Sequence, residues 1–185
     1  MGKVYGGLDA RLREFVEAQR VFFVATAPLA GDGHVNLSPK GVDGTLAILD
    51  EHTVAYLDLT ASGAETIAHL RENGRITLMF CSFDRTPKVL RLHGHGRVVT
   101  PYDDAWSEAS APFPHTPVAR AVIVVDVSRV SDSCGYGVPL AGDIRERDLL
   151  IASMERKPSV IDYRVEKNRV SIDGLPAFDH DPVTP

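Results

Sequence analysis

Apolar residues at Leu8, Leu12, Phe15 and Val16 recur with helical spacing across Asp9 to Arg20, while Arg11, Arg13, Glu14 and Glu17 fall mostly on the opposite side. The pattern predicts an amphipathic opening helix with one face to bury. The period then changes. Val21-Phe22-Phe23-Val24-Ala25-Thr26-Ala27 is a β-branched and aromatic run closed by Pro28 and the turn signal Gly31-Asp32-Gly33, which reads as a buried strand. Further strands are expected at His34 to Ser38, Thr45 to Leu49, Thr53 to Leu59, Arg75 to Phe83 and Lys88 to Thr100, the last being the longest alternating stretch. A parallel crossover needs a dozen or more residues, so the short gaps between most of these runs mean antiparallel pairing. Six such strands close into a barrel more readily than they form an open sheet with two bare edges.

The rest of the chain is less regular. A helical pattern, Ile67-Ala68-His69-Leu70-Arg71, separates the fourth strand from the fifth. Pro101 to Pro117 holds a short helical candidate at Asp104 to Ala109 and a proline-rich link that reads as a surface connection. Ala121 to Val130 is a Val/Ile-rich strand, and Asp143 to Lys157 carries Leu149, Leu150 and Met154 at helical spacing. Phe178 to Pro185 reads as a frayed acidic tail. The expected organisation is a barrel domain over 1–132 and a C-terminal extension over 133–185, made of a turn, a helix and the tail, packing on the barrel or on a dimer partner.

Composition narrows the setting. With 185 residues, 44% of them hydrophobic, the chain can bury a core of its own. The net charge of −5 arises from 25 acidic against 20 basic residues. No Lys/Arg stripe is present, which argues against a nucleic-acid partner. Cys81 and Cys134 lie far apart and outside any C-x-x-C pattern, so neither a disulfide framework nor a metal cage is indicated, and a reducing cytoplasm is the expected setting. Met1 to Tyr5 lacks the apolar region of a signal peptide, and Gly6 stands where a myristoylation motif needs Ser or Thr. No run approaches the ~18 uninterrupted apolar residues of a membrane span.

Four segments could carry chemistry. In Thr60-Ala61-Ser62-Gly63-Ala64-Glu65-Thr66, between a strand and a helix, Ser62 and Glu65 have the spacing of a capping box. Such a helix start either is a cap and nothing more or, through its amide groups, its positive dipole end and the hydroxyls of Thr60, Ser62 and Thr66, receives a phosphate. Asn36-Leu37-Ser38-Pro39-Lys40-Gly41 projects a mobile cation from a strand end where backbone can approach a ligand. In Val89 to Val98, period two puts Arg91, His93, His95 and Arg97 on one face and Leu90, Leu92 and Val98 on the other. Two histidines without a third ligand make a metal site improbable on chemical grounds, and Gly94-His95-Gly96 fails the dinucleotide fingerprint because Val99 stands at its last glycine position. Cys134-Gly135-Tyr136-Gly137-Val138-Pro139 is a tight turn that either holds Tyr136 and Cys134 against a ligand or simply ends a strand.

Three stretches together, Asn36 to Gly41, Val54 to Leu59 running on through Leu70 to Arg75, and Leu90-Arg91-Leu92-His93-Gly94, resemble the pyridoxamine 5′-phosphate oxidase-like family. The resemblance implies a mainly β (α+β) fold, a six-stranded antiparallel split β-barrel of the FMN-binding type with flanking helices. It also implies a homodimer with FMN in the groove between subunits. Ser38, Pro39 and Lys40 would face the flavin, the loop Thr60, Ser62, Gly63, Glu65 and Thr66 would meet its phosphate, Arg91 would line the groove, and Cys134 and Tyr136 would approach the ring system. The family's oxidase has an Arg-Lys pair early in this helix, whereas Glu65-Thr66 stand here, and its C-terminal substrate motif is not found, so vitamin B6 oxidation is not expected. The expected function is an FMN-dependent oxidoreductase passing hydride through flavin N5 to or from a small molecule, with no catalytic residue assigned. The alternative is a non-catalytic binding protein for flavin, F420 or haem on the same fold.

Overall fold

Strand-forming runs dominate the chain, and in the computed structural model, which describes residues 2–178, they join in one antiparallel sheet. In chain order the elements are β1 (Val4–Tyr5), α1 (Ala10–Glu17), β2 (Phe22–Thr26), β3 (Asn36–Lys40), β4 (Leu46–Ile48), β5 (Thr53–Leu59), α2 (Glu65–Asn73), β6 (Arg75–Cys81), β7 (Val89–Val99), α3 (Trp106–Ser110), β8 (Ala119–Ser133), α4 (Leu149–Glu155) and α5 (Val160–Lys167). The strand order is β3-β2-β6-β7-β8-β5-β4, with β1 pairing on β8. The sheet curls so that its two ends meet: Lys40 at the end of β3 reaches Asp58 of β5 at 3.1 Å. The mainly β split-barrel expectation holds. The sheet has eight strands among the described residues, because β8 joins it and because the two-residue β1, too short to show a period, adds to its edge.

The inward face follows from period two. Phe22, Val24, Tyr56, Leu78, Phe80, Leu90, Leu92 and Ile123 are buried there, with Phe22 edge-on to Tyr56 at 5.7 Å and stacked near Phe80 at 5.5 Å. Helix α2 plugs one end of the barrel. Its close approach explains Gly96 on β7, where a methyl group would lie 2.9 Å from Leu70 of α2. The helix stops at Gly74, whose φ of 70° suits the left-handed closing residue that glycine adopts without strain. At the other end lies α1, shorter than Asp9 to Arg20, with Asp9 as its cap accepting from the Leu12 amide and with Leu12 and Val16 buried.

A second core forms outside the barrel. Leu57, Leu59, Val122 and Val124 point away from the interior and are covered by Phe113, Val118 and Met154, with Trp106, Leu150 and Tyr163 packed on the edge. Only the part of Asp143 to Lys157 that brings Leu150, Ile151 and Met154 to this core is helical. The residues before it are exposed. Helix α5 was not anticipated by the apolar pattern; Ser159 caps it by accepting from the Asp162 amide. The chain then returns to the barrel, where Ala177 and Phe178 are buried in the first core. The rest of the expected acidic tail lies outside the described residues. Over β3, β2, β6 and β7, by contrast, the outward face carries no covering element among the described residues, and Leu37 is 64% exposed there.

A clasp ties the C-terminal segment to the loop before β3. Asp173 accepts from the His34 backbone amide at 2.8 Å and pairs with its imidazole Nδ1 at 2.6 Å. The hydrogen bond and charge of Asp173 raise the His34 pKa, while the same bonds lower that of Asp173. A raised histidine contributes stability fully below its unfolded pKa and loses it as pH rises through the folded value. His34→Ala is therefore expected to lower the thermal midpoint at pH 6 and to make progressively less difference towards pH 9, as read by melting curves of both proteins across that range.

Candidate functional site

Strand β3 presents Asn36, Ser38 and Lys40 to the interior, because they pair with the inward residues Thr26, Val24 and Phe22 of β2. Asn36 donates to Thr26 and Thr66 at 3.1 and 3.0 Å, which joins β2, β3 and the first turn of α2. Thr26 in turn contacts Nδ1 of His69 at 2.9 Å, and burial lowers the His69 pKa. The hydroxyl of Ser38 is buried and has no hydrogen-bond partner among the described residues. A buried orphan hydroxyl costs ~1–3 kcal/mol, so the row has unused donor capacity facing inward. Lys40, expected as a mobile cation at a strand end, turns inward to Asp58 and sits 5.9 Å from the Tyr56 ring. The outward residues of β3 are Leu37 and Pro39.

Asp58 is 1% exposed and lies between Lys40 and Arg120, whose Nε donates to Oδ2 at 2.7 Å. Burial by itself would raise its pKa, but the charges and hydrogen bonds of Arg120 and Lys40 outweigh it and hold the carboxyl below its ordinary value. Arg120 also directs Nη1 to the Ala61 carbonyl at 3.5 Å. Neither residue stood out by sequence. The one signal for Asp58 was a lone carboxylate in phase with Tyr56 inside an otherwise apolar strand.

The loop 60–64 carries β5 into α2. Thr60 is fully buried and gives its one hydroxyl proton to the Val118 carbonyl at 2.8 Å, while accepting from Arg164 Nε at 2.9 Å. Its hydroxyl is thus occupied, contrary to the expectation that it would be a free donor. Asn168 donates to the Ala61 carbonyl at 2.8 Å. The expected capping box does not form: α2 begins at Glu65, its cap position is Ala64, and there is no side-chain cap hydrogen bond among the described residues. Ser62, two residues further out, is exposed. Glu65 leans back over the loop, close enough that a methyl group at Gly63 would meet its Oε2 at 2.4 Å. Thr66 is buried and engaged by Asn36.

Ser38, Pro39, Lys40, Thr60, Ser62, Gly63, Glu65 and Thr66 therefore gather at one end of the barrel. Arg91, Cys134 and Tyr136 lie elsewhere. Arg91 faces outward in one row with Pro39, Phe23 and Met79, and its Nη1 donates to Ser133 at 3.1 Å. Cys134 is an exposed thiol just past the far end of β8, beside Lys3, Arg11 and Lys88, and Tyr136 is 82% exposed. Asp58 pairs with Ala121 near the start of β8, so about a dozen residues at ~3.3 Å each separate the two groups along that strand. A cavity of about 150 Å³ adjoins Lys40 between Pro39, Leu57, Leu59, Ala61 and Leu150. Pockets that enclose a cofactor-sized ligand run to ~300–1,000 Å³, so this one is too small by itself.

A curled antiparallel barrel plugged by a helix that follows strand β5 is the architecture of the split-barrel proteins. HupZ of Group A Streptococcus shares the fold at a TM-score of 0.54 and 21% identity, over 72% of this chain and 98% of that one. A Clostridium acetobutylicum protein related to general stress protein 26, of the pyridoxinephosphate oxidase family, shares it at 0.52 and 14%, over 67% and 86%. By sequence, the pyridoxamine 5′-phosphate oxidase family profile matches residues 8–134. The pyridoxamine 5′-phosphate oxidase family protein ustO of Aspergillus flavus is 38% identical, over 94% of this chain and 77% of its own length. The chain belongs to the pyridoxamine 5′-phosphate oxidase family.

Neutralising the buried carboxylate exposes what it holds together. Asp58→Asn leaves Lys40 and Arg120 facing each other without a counter-charge, and breaking a buried pair in this way costs ~3–5 kcal/mol. The expected outcome is a fall in urea-unfolding midpoint corresponding to that range at pH 7, shrinking as pH drops through the depressed Asp58 pKa, where the wild type loses the same contribution.

Proposed function

We propose that this protein is an FMN-binding oxidoreductase that works as a homodimer on a small molecule. The observation that carries the reading is the start of α2: nine residues long, it has no side-chain cap among the described residues, and it opens beside the exposed Ser62 and Gly63. Uncapped amides and a positive dipole end suit a phosphate. The residues present fit the cofactor: Ser62, Gly63 and the amides of 64–66 would take the phosphate, while Lys40 and the orphan hydroxyl of Ser38 would lie towards the ring system. Bound flavin would supply the hydride chemistry. The side chains supply position and shielding from water.

Two features support a shared groove. The cavity beside Lys40 is too small for a flavin, and the outward face of β3, β2, β6 and β7 offers Leu37, Phe23, Met79 and Arg91 with no other element of the described residues over them. A second copy seated on that face would complete the site and bring in residues, among them Cys134 and Tyr136, that one subunit keeps away from Lys40. Substitution Leu37→Glu is expected to shift the protein to a monomer in sedimentation and to weaken flavin retention; a dimer that persists unchanged would remove this face from the interface.

The visible spectrum of the purified protein is the primary test. A flavin spectrum is expected, bleached by NADH or NADPH and restored in air. A Soret band would identify haem instead, and flavin or F420 that no reductant bleaches would favour a binding protein. The Glu65 carboxylate beside Gly63 opposes an anion at the same loop, so Glu65→Gln should tighten FMN by about two- to fivefold, the size of one charge at a helix end. Fluorescence titration of both proteins reads the difference, and weaker binding by the variant would place the phosphate elsewhere.

A further inference from the structure

The far end of β8 borders a cleft of about 860 Å³, within the ~300–1,000 Å³ of pockets that enclose small molecules. Separate parts of the chain build it. Strand β1 lays Lys3 and Tyr5 along the end of β8, α1 contributes Arg11 and Phe15 one turn apart, and Lys88 enters from the turn before β7. Lys3 Nζ lies 4.8 Å from the centre of the Tyr5 ring, and Lys88 Nζ lies 4.9 Å from that of Phe15 and 5.8 Å from that of Tyr5. Attraction to the ring faces holds both ammonium groups beside the cleft.

Positive charge is in excess there. Among the described residues that line the cleft, Lys3, Arg11 and Lys88 face one carboxylate, Asp132. Its two oxygens already accept from the Tyr5 hydroxyl and, at 2.8 Å, from the Lys3 amide, and these bonds together with the charges of Lys88 and Lys3 hold it below its ordinary pKa. Asp9, which also acts on Tyr5, is engaged by the Leu12 amide as the cap of α1. Even with Asp9 counted, cations outnumber carboxylates around the half-buried rings of Tyr5 and Phe15.

We propose that this cleft is a binding site for a small aromatic anion, an aryl carboxylate, sulfonate or phosphate. The anionic group pairs with Lys3, Arg11 and Lys88, and the flat apolar body rests on Phe15 and Tyr5. Charge-assisted contacts set the ligand's orientation, and withdrawal of its ring from water adds affinity. The inference stands independently of the flavin reading, which concerns Lys40 and the loop 60–64.

The probe is anilinonaphthalene sulfonate, whose fluorescence rises when it leaves water, with the neutral phenylnaphthylamine, which lacks the sulfonate, as its counterpart. Titration of the intact protein should show one saturable sulfonate site per chain that weakens as salt is raised. Lys88→Gln and Lys3→Gln should each weaken the sulfonate about three- to tenfold, between an exposed ion pair and a well-made charge-assisted bond, and should change the neutral dye less than about twofold. Lys88→Arg should keep most of the affinity. Cys134, an exposed thiol lining the cleft, reports the location: saturating sulfonate should slow its alkylation by iodoacetamide, with Cys81, 5% exposed, as the internal reference. A sulfonate that does not bind, that binds the glutamine variants as well as the wild type, or that leaves Cys134 as reactive as before overturns the inference. Equal loss of both dyes overturns it as well, because it reports a damaged floor and not a missing charge. Lys3 is exposed, so Lys3→Gln decides the question if Lys88→Gln fails to fold.

Discussion

Asp58 is almost wholly withdrawn from water, and a carboxylate so placed stays ionised only while cations stand beside it. The two that do so come from opposite parts of the sheet: Lys40 ends β3, the outermost strand on one side, and Arg120 lies in β8, next to β5. The barrel closes through this triad rather than through a ladder of backbone hydrogen bonds between β3 and β4. Separating the sheet's ends would strand a buried charge, which no rearrangement of apolar side chains could offset at comparable cost. The same triad fixes the floor on which the loop 60–64 rests, since Arg120 also reaches the Ala61 carbonyl.

Above that floor the C-terminal segment completes the structure. Arg164 and Asn168 grip residues 60 and 61, Asp173 grips the loop before β3, and Ala177 and Phe178 enter the main core. The stretch after residue 133 is therefore a wall of the candidate site and not an appendage.

The strands and α2 were legible because period-two runs bounded by glycine and proline leave few alternatives, and the family resemblance rested on those same runs. What could not be read was local in sequence but decided at a distance. Ser62 and Glu65 have capping-box spacing, yet the helix begins after Ala64, which is buried, because residues 60 and 61 are held by α5. Lys40 read as a mobile cation at a strand end, but nothing nearby in the chain announces that Asp58 faces it. Thr60 looked like a donor, but Val118 takes its proton. Helix α5 escaped notice because its buried contact is an arginine, which no apolar period records.

Strand β8 spans fifteen residues and serves both cores at once: Ala121, Ile123 and Val125 face the barrel interior, and Val122 and Val124 face the outer layer. It also lies between β7 and β5, so the partner of β5 is made more than sixty residues after it. A ribosome building this chain from the N-terminus would hold β5 with one flank unpaired until β8 emerged, and the buried Phe178 would follow about 45 residues after the last residue of β8. The nascent barrel must therefore wait, half-paired, until β8 has emerged, and a chaperone that shields sheet edges during translation would have its greatest effect in that interval.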